Sequence, residues 1–280
     1  MSSGNRDQSA FARTPARIAR PRGLFHTHHV PIEPLPSAIR PYSAVVLGST
    51  GNVGRQIVNL LAASQAVRQV VVVNRRPTDE FGGIRKVREV VVPDLSTLAK
   101  AAESAVRESG ATVGLCAIGV GKGSRKMSDA EVRKIEVQYP EAFATGCKAG
   151  GVLSLGLMTA AGSDINSSLK YARIIGEKET AVTGLGILAL GIYKPSVIFG
   201  NSNTPSYLHY VFPAVQWALP SRYHSIHKNE LARAMIEGTQ KALAEVEQKL
   251  AEGNASPTPV VKCYEYSDMK PFFNKDDFNH

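Results

Sequence analysis

Residues 45–58 read VVLGSTGNVGRQIV, and this stretch decides how the rest of the chain is read. A β-branched, apolar run leads into glycines at 48, 51 and 54, and residues 55–64 then recur with helical periodicity. Each glycine in a G-x-x-G-x-x-G turn between strand and helix has its own physical use. Gly48 permits the tight turn, Gly51 lets backbone approach a pyrophosphate, and Gly54 lets helix and strand pack closely. The helix N-terminus adds N–H groups and the positive end of a dipole. Glycine spacing alone is a weak signal. Here it follows an apolar strand, opens a helix and stands first in an alternating series, the context that dinucleotide binding requires. Gly48, Ser49, Thr50, Gly51, Asn52, Val53 and Gly54 are the expected phosphate-binding turn.

The alternation continues on both sides of that turn. Residues 44–48, 69–74 (QVVVVN), 87–92 (VREVVV), 111–118 (ATVGLCAI), 152–157 and 186–193 read as strands. Residues 94–107, 128–149 and 169–182 read as the helices between them, the second opened by a capping box of Ser128 and Glu131. Strand–helix alternation predicts the α/β class: a doubly wound parallel sheet of Rossmann type, covered on both faces. After Pro195 the pattern loosens, with helices expected over 207–219 and 229–251. Three segments follow: a basic, proline-containing extension over 1–41, a nucleotide-binding domain over 42–253, and a polar tail over 254–280.

The second strand ends in NRRP. An acid at its end would hydrogen-bond the ribose 2′-hydroxyl of NAD, whereas arginine suits a 2′-phosphate. Arg75 and Arg76 therefore favour NADP(H). Asp94, after the third strand, has two open readings, an adenine contact or a helix N-cap. Residues 119–124 (GVGKGS) fail the phosphate-loop pattern of nucleotide triphosphatases, because Gly123 follows Lys122. Gly119 is instead expected to line the cofactor crevice at the carboxyl edge of the sheet.

Composition excludes other classes. At 43% hydrophobic and 20% charged residues, the 280-residue chain is neither disordered nor fibrous. Its longest apolar run, residues 184–193, is ten residues long, against roughly 20 for a spanning helix. Cys116, Cys147 and Cys263 lie far apart, with no metal-ligand spacing, and fit a reducing compartment. Net charge is +9 and uneven: residues 1–40 hold six arginines against two acids, Asp7 and Glu33. Arg-rich, acid-poor composition matches an organellar transit peptide. A basic arm contacting RNA and a plain tail remain alternatives. His26, His28 and His29 lack the rigid frame a zinc site needs.

The motifs GSTGNVG, NRRP, LCAIGVGKG, SLGLMTAAGSD and SSLKYARIIGEKE fall in the order of the short-chain dehydrogenase/reductase superfamily, in its extended or atypical branch. Within that branch the chain most resembles the HIV Tat-interacting protein family of NADPH-binding oxidoreductases. Residues 194–201 (KPSVIFGN) also resemble an accessory-subunit family of respiratory complex I that has this fold and holds NADPH. The resemblance implies a catalytic tyrosine at Tyr171 and a hydroxyl partner at Thr159. It also implies a lysine four residues after the tyrosine, and there the sequence has Ile175. Lysine lowers the tyrosine pKa from its ordinary value near 10, and isoleucine cannot. Arg173 points to another face of the helix and Lys178 lies a further turn along, so neither is expected to substitute. Tyr171 and Thr159 also read as an amphipathic helix residue and a strand-end hydroxyl. His224 and His227 read as surface or packing residues.

The expectation is an NADP(H)-binding, oxidoreductase-like protein of the mitochondrial matrix, weak or inactive in catalysis, with protein partners in a larger assembly. The alternatives are an active NADPH-dependent carbonyl reductase and a structural or RNA-facing component without cofactor.

Overall fold

The computed structural model describes residues 40–121, 127–200, 218–254 and 257–272. Strands β1 (Tyr42–Leu47), β2 (Val67–Asn74), β3 (Val87–Val91), β4 (Ala111–Cys116), β5 (Ser154–Met158) and β6 (Ala189–Tyr193) follow the β-branched and apolar runs of the sequence. Between them lie α1 (Asn52–Ala63), α2 (Leu98–Ser109) and α5 (Lys170–Gly184). The link from β4 to β5 is a helix in three parts: α3 (Asp129–Arg133), a π-helical turn Lys134–Gln138, and α4 (Tyr139–Gly150). The expected capping box opens it, with Ser128 accepting the Glu131 N–H and Glu131 accepting the Ser128 N–H. A small pair, β7 (Ile198–Phe199) and β8 (Ile226–His227), precedes the long α6 (Lys228–Ala251). The described chain ends with β9 (Val260–Tyr264), α7 (Tyr266–Met269) and a short 3-10 turn.

The main sheet has the order β3-β2-β1-β4-β5-β6-β9, and every neighbouring pair is parallel. This is the doubly wound Rossmann-type sheet expected from the alternation. Period-two alternation divides the strands between two cores. Val70 and Val72 pack with Ile57, Leu61 and Met235 under α1 and α6. Val71 and Val73 pack with Leu98, Phe143 and Cys147 under α2 and α4. The order reverses between β1 and β4, so the crevice for a ligand opens at the carboxyl ends of those strands.

One boundary differs from the expectation. Val260–Tyr264 lies within the expected tail, yet it pairs with β6 as the seventh strand. The pairing is tied by Val260 N–H to Leu188 O at 2.9 Å and by Lys194 N–H to Tyr264 O at 2.9 Å. Tyr264 stacks on Tyr193 with ring centroids 4.6 Å apart. The cause is position: an edge strand whose first four residues are exposed carries no burial pattern to read. The N-terminal extension to residue 39, loop positions 122–124 and nearly all of the helix expected over 207–219 lie outside the described residues.

Candidate functional site

The glycine turn has the geometry its spacing implies. Gly48 has φ +90°, and a Cβ there would lie 2.7 Å from Ala117 C and from Ile118 N. Only glycine satisfies both the left-handed conformation and the close approach of the β4 loop. A Cβ on Gly54 would stand 2.0 Å from the Gly48 carbonyl oxygen, so the first and third glycines are fitted to one another. Gly51 donates its N–H to Gly48 O at 3.0 Å and caps α1 without any side-chain acceptor. The first N–H groups of α1 therefore have no side-chain cap, which leaves them to a ligand or to water. Thr50 and Gly51 are exposed and Asn52 is partly so, whereas the Val53 side chain belongs to the core.

A polar chain joins this turn to the end of β2. Ser49 Oγ donates to Asn74 Oδ1 at 2.7 Å, and Asn74 Nδ2 donates to Glu89 Oε1 at 2.6 Å. Both Glu89 oxygens accept the Thr78 N–H, at 3.1 and 3.2 Å. Between these anchors Arg75 and Arg76 stand exposed at the carboxyl end of the strand. Arg55, on the first turn of α1, reaches Thr50 O at 3.4 Å and pairs with Glu80 at 2.5 Å. Asp94 takes the capping role: its carboxylate accepts from Ser96 N at 2.9 Å and Ser96 Oγ at 2.6 Å. Those bonds hold its pKa below the ordinary carboxylate value.

On the other side of the crevice the residues are engaged with one another. Tyr171 opens α5 with its ring half exposed, and its hydroxyl donates to Glu136 Oε1 at 3.4 Å. Glu136, on the π turn, is 1% exposed and also accepts the Val120 N–H at 2.9 Å. Its second oxygen faces Lys178 Nζ at 3.3 Å, and Lys178, also 1% exposed, donates to Ile118 O at 3.3 Å. A Cβ on Gly119 would lie 3.2 Å from Glu136 Oε1. Glu136 thus brings Tyr171 and the Gly119 loop to one point.

Removal of the phenol from water raises the Tyr171 pKa, and the Glu136 carboxylate raises it further. Ile175 is 1% exposed and packed. Thr159 is not bonded to Tyr171: its N–H and its hydroxyl both point to Tyr193 O, at 2.8 and 3.4 Å. His227 caps α6, accepting the Asn229 N–H at 3.3 Å, and His224 lies against Leu219 O at 3.1 Å.

Sequence reasoning missed Glu136 altogether. A signal for Lys178 existed. Tyr171, Ile174, Ile175, Lys178 and Val182 mark one helical stripe, and seven residues make two turns, so Lys178 returns to the face of Tyr171.

No family model matches the chain. A protein of Scheffersomyces stipitis named FMP52-1, mitochondrial, is 26% identical over 234 residues, 83% of this chain and 99% of that one. FMP52, mitochondrial, of Debaryomyces hansenii is 30% identical over 160 residues, 57% of this chain and 68% of that one. The chain belongs to the FMP52 family. Its membership supports a mitochondrial location. The rat protein HTATIP2 is 27% identical over 157 residues, 56% of this chain and 62% of that one, so the family is an atypical short-chain dehydrogenase/reductase branch related to it. Among solved structures, gox2181 superposes with TM-score 0.57 at 13% identity over 83% of this chain and 97% of that one. WbmH of Bordetella bronchiseptica, solved with NAD+, gives TM-score 0.55 at 12% identity over 80% and 85%. At such identities these two structures establish the fold.

Proposed function

We propose that this member of the FMP52 family is an NADP(H)-binding, oxidoreductase-like protein of the mitochondrial matrix. Its chemical step is weak or absent, and it serves as a subunit or assembly component of a larger complex. The observation that carries this reading is the contrast at the crevice: a close-fitting glycine turn before an uncapped helix N-terminus, and a carboxylate facing the phenol where an activated tyrosine needs a cation.

The backbone of residues 48–54 would hold the pyrophosphate. The uncapped α1 N-terminus and the close Gly48–Gly54 fit support that assignment. Arg75 and Arg76 would hold the 2′-phosphate through charge-assisted bonds. When bound, the nicotinamide supplies a hydride. The chain itself would have to supply the proton, and Tyr171 is poorly prepared to do so. Glu136 stabilises the neutral phenol, Lys178 is committed to Glu136 and to a carbonyl, and Ile175 offers no charge. The matched pKa that acid–base catalysis needs is absent. The family's mitochondrial location favours a targeting role for the Arg-rich segment 1–41 over an RNA contact.

Calorimetric titration with NADPH and NADH, followed by NADPH oxidation on a panel of aldehydes, ketones and quinones, tests the proposal. The expected result is NADPH binding about tenfold or more tighter than NADH, since a charge-assisted bond contributes roughly 1.5–3 kcal/mol, with turnover at background. Turnover that disappears in Tyr171→Phe would establish an active reductase instead.

A further inference from the structure

Two fully buried, oppositely charged side chains lie beneath the crevice. Removing a carboxylate and an ammonium from water is costly, and such a pair is weak evidence for stability as such. Glu136 and Lys178 are nonetheless both 1% exposed, and the hydrogen bonds they make run to one another, to the loop after β4 and to Tyr171. Lys178 holds the carbonyl of residue 118 and Glu136 holds the N–H of residue 120, so the pair clamps the β4 loop on both sides of Gly119. The remaining contact of Glu136 is the Tyr171 hydroxyl. Glu136 also sits in a π-helical turn, a local widening of the helix that recurs at functional sites.

We propose that Glu136 is a positioning residue that locks the site: it holds the Tyr171 hydroxyl as a donor, separates it from Lys178, and fixes the loop at residues 118–120. Lys178 is then a cation on the correct face of α5 whose charge Glu136 cancels before it reaches the phenol. This rests on the reading of Tyr171 as the residue facing the nicotinamide, and it accounts for why a tyrosine with a cation two turns away is still not activated.

Among the described residues the charged and titratable groups around the phenol are few. Glu136 comes from the π turn and Lys178 from α5 itself. Cys116, at the end of β4, is within reach of the Lys178 charge, and burial raises its thiol pKa. On the outer faces Lys170 pairs with Asp129 and Arg133 with Glu177, and Arg173 donates to Ser167 O at 2.8 Å. Of these only Glu136 touches the hydroxyl.

The test is the ionisation of Tyr171, read as the difference in tyrosinate absorbance between each background and its Tyr171→Phe counterpart, in the full chain. Glu136→Gln should lower the ionisation pH by about one to three units, because an anion is removed and a neighbouring cation is left uncancelled. Glu136→Gln/Lys178→Met should fall between that variant and the unmodified protein. The double variant also leaves no unpaired charge in the core. Where Glu136→Gln alone does not fold, a lower ionisation pH in the double variant supports the lock, and an unchanged one overturns it. Coincident titrations in all three backgrounds overturn it as well. Turnover by the unmodified protein would instead defeat the inactive-site reading, and this titration order would stand or fall separately.

Discussion

The two sides of the crevice treat their polar groups in opposite ways. On the β1–β2 side the groups suited to a ligand are left open: α1 has no side-chain cap, and Arg75 and Arg76 are exposed. The bonds there support the loops from behind, through Ser49, Asn74 and Glu89. On the α5 side the groups suited to chemistry bond to one another: Tyr171 to Glu136, Glu136 to Lys178, and Thr159 to a strand carbonyl. Binding needs donors that stay free until the ligand arrives. The proposed role, holding a nucleotide without reacting it, rests on this division between donors left open and acid–base groups bonded to one another.

The contrast is easiest to break at Lys178. Lys178→Met leaves the Glu136 carboxylate in the core without a counter-ion, a change that typically costs about 3–5 kcal/mol. For a domain of this size that lowers Tm by on the order of 10 °C, readable by thermal melting. Pairing it with Glu136→Gln should recover most of the loss, because neutral replacement of a buried pair is often tolerated. If Lys178→Met melts with the unmodified protein, the two charges are not a buried pair and the account of the α5 side fails.

The opposite side is tested at Gly54. In Gly54→Ala the new methyl must displace the Gly48 carbonyl, which it would approach to 2.0 Å. Overpacking of this kind costs roughly 1–3 kcal/mol. The more telling readout is NADPH affinity by calorimetry. It should fall at least tenfold, as roughly 1.4 kcal/mol of lost binding requires, because the turn that presents the N–H groups opens. Unaltered affinity would place the nucleotide elsewhere.

How much of this was legible in sequence follows the same division. β1, β2 and β4 have apolar centres buried on both faces, and buried strands record their environment in composition. The glycine turn was legible because each of its glycines answers a local steric demand. β9 was not, because four of its five residues face solvent and its pairing with β6 comes from far along the chain. The Glu136–Lys178 pair was hidden for another reason. The partners are 42 positions apart, and nothing at either position marks it as buried except an interrupted apolar stripe. The position where the family pattern breaks, Ile175, was visible at once, but the Glu136 carboxylate that meets the Tyr171 hydroxyl was not.

A smaller effect sharpens the cofactor side. Replacing Arg75 and Arg76 with glutamine should leave NADH binding nearly unchanged and weaken NADPH binding about tenfold, the equivalent of roughly 1.4 kcal/mol. Calorimetry with both nucleotides reads this as a change in their ratio, which general destabilisation would not alter. Equal weakening of both would mean that the arginines order the loop rather than read the phosphate.

The smallest effect is expected at Glu80. Its carboxylate holds Arg55 at 2.5 Å, and the guanidinium also lies 3.4 Å from Thr50 O, on the glycine turn itself. The pair is substantially exposed, at 44% and 35% of its side-chain surface, and such pairs contribute about 0–1 kcal/mol. Glu80→Gln should therefore leave the melting temperature within about a degree or two. It frees a cation at the mouth of the phosphate turn, however, and removes an anion that competes with the ligand for it. NADPH affinity should rise two- to threefold, or roughly 0.5 kcal/mol, at low salt. The gain should shrink as ionic strength rises and the Debye length falls to about 8 Å at physiological salt. A gain that persists unscreened would mean that Glu80 acts by shaping the loop after β2. A loss of affinity would mean that Arg55 has to be held by Glu80 to serve the turn, and the β1–β2 side would then depend on an internal bond as the α5 side does.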